Sequence, residues 1–193
     1  MQFIKEEFSA TLEIKKSKFI AYLFPYEQFD IFMKQLKDEH SKGRHFVYAY
    51  RYLNQFDQIV ENSSDDGEPK GTSGKPALNV LNGSSIINSA VIIVRYFGGI
   101  KLGTGGLVKA YSDAVNLVVK NSELIKYEKL EQKSLIVSYS NLSKIEYTIA
   151  QFRVTVLDKI FQADVKIILE ASEEEFTNLN KDLIRECELK DEN

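Results

Sequence analysis

Tryptophan is absent from this 193-residue chain, cysteine occurs once and histidine twice. One cysteine, Cys187, excludes an intramolecular disulfide and a cysteine-based metal cluster. It falls on the apolar stripe of the last predicted helix and reads as inert packing. With only His40 and His45 available, a histidine triad or metal site would need the two to converge. Long apolar runs are also missing. The longest candidate, AVIIV from Ala90, is far short of the roughly 20 residues that span a bilayer, and the opening MQFIKEEF lacks the apolar core of a signal peptide. A cytoplasmic protein without membrane association, a monomer or weak oligomer, is the expectation. The net charge is −3, and neither sign dominates. Up to Glu128 there are 16 Lys and Arg against 15 Asp and Glu, and from Lys129 onward 9 against 13. Neither half is basic enough to wrap nucleic acid over a whole face, so any such binding must come from a local patch.

What is scarce elsewhere is concentrated in one stretch. Nine of the ten glycines and two of the three prolines lie between Gly67 and Gly106. Glycine loses more conformational entropy on folding than any other residue, so its concentration marks a need for positive φ or close backbone approach.

Around that stretch the patterning alternates strands and helices. FSATLEIKKSKFIAYLFPY from Phe8 reads as two strands turning near Lys16 and Ser17, with Pro25 closing the second. A helix follows from about Glu27 to Glu39. HFVYAYRYL from His45 is a strand with Phe46, Tyr48, Tyr50 and Tyr52 on one face; packing against a helix is the reading, with a base-stacking platform as the alternative. ENSSDDGEPKGTSG from Glu61 is a long polar loop of the kind that carries function or is disordered. It leads into a short helix near Lys75 and Pro76, with Thr72 or Ser73 as cap. SAVIIVRYF from Ser89 is a central strand buried on both faces, and GGIKLGTGG turns it into a helix from about Gly105 to Lys120.

After Gly106 there is neither glycine nor proline. Charged residues from Asn121 to Lys133 mark a boundary. A strand from Ser134, a helix from Ser143, strands from Val154 and Asp164 and a helix from Glu173 capped by Ser172 follow. That βαββα order predicts a ferredoxin-like α+β sandwich. There is no long internal repeat, and in both halves the helices are expected on one side of a sheet.

The strand that ends at Arg95, the glycine-dense turn and the helix that starts near Thr104 present free amides and a positive dipole end, with Lys101 and Lys109 close in sequence. That combination suits an anion. It is neither a P-loop nor a dinucleotide fingerprint, since position 108 is Val rather than Gly. The alternative is that the glycines serve only a tight turn and close helix-to-sheet contact. Asp65, Asp66 and Glu68 are the carboxylates available to hold Mg²⁺ with phosphate, although three loop carboxylates are also an ordinary solvated cluster. No other cofactor is expected. Ser73 with Lys75 lacks the orienting third group of a nucleophile and base.

Two segments, DDGEPKGTSGKP from Asp65 and VRYFGGIKLGTGGLVKAYSDA from Val94, resemble the signatures of the Impact family of YigZ-type proteins. EIKKSKFIA from Glu13 and HFVYAYR from His45 are similar to that family's earlier blocks, and the chain from about Leu130 is similar to its small bacterial C-terminal domain. The resemblance implies an α+β protein: residues 1–128 as an Impact-type βα sandwich like domain 2 of ribosomal protein S5, and residues 129–193 as a ferredoxin-like domain. The chain is expected to begin at the shared domain, without the N-terminal segment through which eukaryotic relatives regulate translation under amino-acid starvation.

What the resemblance leaves is a translation-linked, RNA- or ribosome-binding role. Arg95, Lys101, Thr104, Gly105, Gly106 and Lys109 at the turn, with Lys70, Thr72, Ser73 and Lys75 from the loop, are the candidates for phosphate contacts, and Tyr96 and Phe97 for stacking on a base. No catalytic residue is expected. An enzyme acting on a phosphorylated small molecule with Mg²⁺, and a protein-interaction module in stress-dependent translational control, are the competing readings.

Overall fold

The computed structural model describes residues 1–183, 187 and 189–191. The chain divides into two compact units, Met1–Tyr127 and Glu128–Asn193.

In the first unit the elements run β1 (Gln2–Phe3), β2 (Phe8–Ile14), β3 (Ser17–Pro25), a 3-10 turn (Tyr26–Gln28), α1 (Phe29–Glu39), β4 (His45–Leu53), β5 (Ile59–Ser64), α2 (Gly74–Gly83), β6 (Ser89–Tyr96), α3 (Gly103–Asn121) and β7 (Ile125–Lys126). Five strands form one sheet in the order β2-β3-β6-β4-β5, each pair antiparallel. β1 and β7 pair separately. Lys15 and Lys16 both take positive φ, 46° and 66°, in the tight turn between β2 and β3. Two such residues give a hairpin turn whose twist matches that of the strands.

β6 is the centre of this sheet because it is buried on both sides, and its alternation sorts the core. Val91 and Ile93 join Phe19, Ala21, Val47 and Ala49 beneath α2 and α3. Ala90, Ile92 and Val94 join Phe24 and Leu36 beneath α1. Helices therefore cover both faces of the sheet, not one. The expectation failed because a helical stripe shows that a helix buries one side but not which sheet face receives it. The tyrosine stripe of β4 packs as a core face: Phe29 meets Tyr48 and Tyr50 edge-on at ring centroid distances of 5.1 and 5.3 Å, and Tyr26 stacks on Tyr52 at 4.0 Å. Aromatic pairs of this kind contribute about 0.5–1.5 kcal/mol each beyond area burial.

The long loop is shorter than the sequence suggests, since Ile59–Ser64 is a strand paired with β4. α2 has Ser73 at its N-cap, but no side chain of that residue caps the helix. Asp65 does so instead. Its carboxylate accepts from the N–H groups of Gly71, Ser73 and Gly74 at 2.7, 3.0 and 2.8 Å and from the Ser73 hydroxyl at 2.7 Å.

The second unit runs β8 (Leu130–Val137), α4 (Leu142–Ile149), β9 (Thr155–Phe161), β10 (Val165–Ser172), α5 (Glu173–Asp182) and β11 (Lys190–Asp191). The sheet order is β11-β8-β10-β9, all antiparallel. That is the ferredoxin-like order, with a closing two-residue strand beyond the expected βαββα. Ser172 caps α5 by accepting from the Glu175 N–H. Cys187 is buried with Leu135, Ile167 and Phe176 but lies outside the helix, which ends at Asp182; part of the longer expected helix falls outside the described residues. Both units are α+β.

Candidate anion site

Register places the site. His45 pairs with Arg95 across β4 and β6, and Phe19 pairs with Arg95 across β3 and β6. Directly paired residues share a sheet face, so His45, Arg95 and Phe19 all point to the side that carries α3. Just beyond Arg95 the chain must turn sharply. Gly98 makes the turn possible: a Cβ there would lie 2.0 Å from the Lys16 backbone, and its N–H donates to Ser17 Oγ at 3.1 Å. Gly103, at φ +73°, then opens α3.

The Leu102 side chain does not cap α3, and among the described residues no side chain accepts from its first amides, which are therefore open to an outside acceptor. A Cβ on Gly103 or Gly105 would meet nothing within 4 Å, so space lies open at both positions.

Between this helix end and the loop after β5 is a cleft of about 460 Å³. Arg44 and His45 line it from the start of β4, Arg95 from the end of β6, Glu68 and Pro69 from the loop. Phe97, Lys101, Thr104 and Leu107 close it from the turn and α3. Neither Arg44 nor Lys101 has an ion-pair partner among the described residues, and both are exposed.

Among the described residues Glu68 is the one carboxylate lining the cleft, and its side chain is 4% exposed. Its Oε1 pairs with Arg95 Nη1 and accepts from the Tyr111 hydroxyl at 2.8 Å. His45 Nε2 is 4.0 Å from the same oxygen. Burial, with the Glu68 charge beside it, pushes the Tyr111 hydroxyl well above the ordinary tyrosine range, so it remains a donor. Nδ1–H of His45 donates to the Asp66 carbonyl at 2.7 Å, because a carbonyl can only accept. Arg95 is 6% exposed. Its guanidinium lies between the Phe19 and Phe97 rings, 5.4 and 5.7 Å from their centroids, and its Nε has no hydrogen-bond partner among the described residues. A buried guanidinium N–H without an acceptor is costly.

Of the residues proposed from sequence, Arg95, Lys101, Thr104 and Phe97 line the cleft, with Gly105 and Gly106 on the same first turn of α3. The others are placed elsewhere. Lys109 pairs with Asp113 at 2.9 Å. Thr72 and Ser73 are buried, their hydroxyls donating to the Pro69 carbonyl and to Asp65, while Lys70 and Lys75 are exposed away from the lining. Tyr96 points to the opposite sheet face, where its hydroxyl meets His40 Nδ1 at 2.9 Å. The same alternation that brings Arg95 into the cleft removes Tyr96 from it.

The three carboxylates weighed for Mg²⁺ diverge. Asp65 caps α2, Asp66 accepts from the Phe46 N–H at 2.6 Å, and Glu68 is taken by Arg95 and Tyr111. His40 and His45 do not converge, since Tyr22 and Tyr96 hold His40 on the α1 face. Sequence reasoning missed Arg44, His45 and Tyr111 as parts of this site, and named Glu68 only as a possible Mg²⁺ ligand rather than as the partner of Arg95. Strand alternation puts His45 and Arg95 on equivalent faces of their strands, but only pairing register makes them neighbours.

The fold and site define a two-unit α+β protein whose first unit carries a cation-lined cleft at a helix N-terminus. The chain belongs to the IMPACT family. The Impact N-terminal domain matches residues 15–119, and a domain of unknown function, DUF1949, matches residues 135–185. An IMPACT family member of Haemophilus influenzae is 39% identical over 175 residues, spanning 89% of this chain and 84% of that protein. IMPACT family member YigZ of Escherichia coli is 38% identical over 156 residues, spanning 79% and 76%. A crystal structure described as that of a hypothetical protein covers 100% of this chain and 97% of its own, at 31% identity and a TM-score of 0.67.

Proposed function

We propose that this protein is a translation-linked regulatory protein that binds RNA, free or within the ribosome, by taking a phosphate group into the cleft at the N-terminus of α3. The observation that carries this reading is the convergence of Arg44, Arg95 and Lys101 on an uncapped helix end in a chain whose net charge is −3. Among the described residues only Arg95 of these three is balanced, by Glu68. A helix terminus contributes about 0.3–1 kcal/mol to anion binding at an exposed site, so the side-chain cations supply most of the affinity. Membership of the IMPACT family supports the translation link, through the role that the sequence resemblance implies for eukaryotic relatives.

The test is binding of the full chain to ribosomes and to single-stranded RNA over a salt series, with Arg44→Ala and Lys101→Ala beside it. Phosphate contacts give a log–log salt slope of about −0.7 per contact, and each substitution makes the slope shallower by about one such contact. Absence of binding to both targets at low salt overturns the proposal.

A further inference from the structure

Building on that phosphate site, we infer that its ligand is a terminal phosphate monoester carried by a nucleotide, with the base against Phe97, and not an internal phosphodiester of a running strand. Four observations carry this.

The first is charge count. Glu68 offsets Arg95, which leaves Arg44 and Lys101 as two uncompensated cations on the lining. A phosphate monoester near pH 7 carries about −1.5 to −2 and offers three terminal oxygens, whereas an internal diester carries a single charge on two. Two free cations and a set of helix amides match the former.

The second is the absence of a track. A site that holds a strand by its backbone follows successive phosphates along a basic groove. Here the basic residues next in sequence do not continue the cleft: Lys109 is engaged by Asp113, and Lys70 and Lys75 lie outside the lining. Among the described residues the arginines and lysines of the lining are Arg44, Arg95 and Lys101.

The third is Arg95 itself. It lines the cleft, it is more than nine-tenths buried, and its orientation is fixed by Glu68 and by two aromatic rings. A donor held in that way recognises a placed group rather than a general negative field.

The fourth is the apolar part. Phe97 is 43% exposed and meets the Arg95 guanidinium with its ring, while Pro69, Leu102 and Leu107 supply apolar wall. At about 460 Å³ the space is within the roughly 300–1,000 Å³ of small-ligand sites. A phosphate alone leaves most of it unused, and a nucleobase on Phe97 fills it.

Free nucleotides and phosphorylated RNA ends share this chemistry, and the test separates them. Binding to the full chain is measured for a short oligouridine RNA with a 5′-phosphate, the same strand with a 5′-hydroxyl, the strand with a 3′-phosphate, uridine and adenosine 5′-monophosphates, and inorganic phosphate. The expected result is that removing the terminal phosphate weakens strand binding tenfold or more, and that Lys101→Ala shrinks this difference. Monophosphates competing while no strand binds supports the inference with a free nucleotide as the ligand, and overturns the RNA reading. Equal binding of 5′-phosphate and 5′-hydroxyl strands, with affinity rising with length, overturns the inference and leaves the RNA reading standing. Inorganic phosphate competing as well as the nucleotides overturns the nucleotide assignment. No binding by any probe overturns both.

Discussion

Glu68 and Arg95, 27 positions apart, form a buried ion pair that joins the loop after β5 to the end of β6. Tyr111 on α3 donates to the same carboxylate oxygen, so one side chain ties loop, sheet and helix together around the cleft.

Removing that carboxylate leaves a buried guanidinium uncompensated. Glu68→Ala is expected to destabilise the protein by about 3–5 kcal/mol, and Glu68→Gln, which keeps an acceptor for Tyr111, by less. The glutamine variant also raises the positive charge of the cleft and is expected to bind phosphate more tightly than the parent. Urea unfolding and phosphate titration check the two effects, and a loss below about 1 kcal/mol in Glu68→Ala would contradict the structural role.

Asp65 gives a pH dependence of defined sign. Partial burial by itself raises its carboxyl, but four donors, from Gly71, Ser73 and Gly74, outweigh that and hold it below the ordinary carboxylate range. A depressed folded-state value means stability that is fully present above the ordinary aspartate value of about 3.9 and lost as pH falls through the lower folded value. Asp65→Asn is expected to cost about 1–3 kcal/mol at neutral pH and to flatten the acid limb. Unfolding followed at pH 7 and near pH 3 in both proteins tests this; parallel losses would refute it.

Two glycines of the same turn predict opposite outcomes. Gly98→Ala forces a Cβ into the Lys16–Ser17 backbone and is expected to destabilise the first unit by about 1–3 kcal/mol or more, as overpacking against an immovable neighbour does. A Cβ at Gly105 meets nothing within 4 Å, and alanine is the better helix former by up to about 1 kcal/mol. Thermal melts of the pair should therefore move in opposite directions, or stay level for Gly105→Ala.

The neighbours Tyr96 and Phe97 separate the two sheet faces. Phe97→Ala removes the exposed ring of the cleft and is expected to cost about 1–3 kcal/mol of RNA or nucleotide binding. Tyr96→Phe loses only a hydroxyl bonded to His40 on the far face and should leave affinity unchanged. Equal losses in the two variants would place the ligand elsewhere.

Much of this architecture was legible along the chain. The β2–β3 hairpin, α1, the aromatic face of β4, the buried run of β6 and the Ser172 cap follow from spacing and local chemistry, which the sequence displays directly. β5 was hidden because Glu61–Ser64 has no apolar alternation; it is a strand because β4 offers it backbone partners. β11 is two residues long and rests on β8 in the same way.

The sequence alone determined the α+β class, the family resemblance and the glycine-rich stretch that borders the candidate cleft, since glycine and basic residues announce a turn and a charge wherever they stand. Tertiary structure decided which of those residues meet. Pairing register set His45 beside Arg95, strand alternation chose Phe97 over Tyr96, and the loop's return brought Glu68 to Arg95 while Asp65 displaced Ser73 as the cap of α2. Each of these is a contact between positions far apart in the chain, and such contacts are fixed by which apolar faces close on one another, not by the spacing of neighbours.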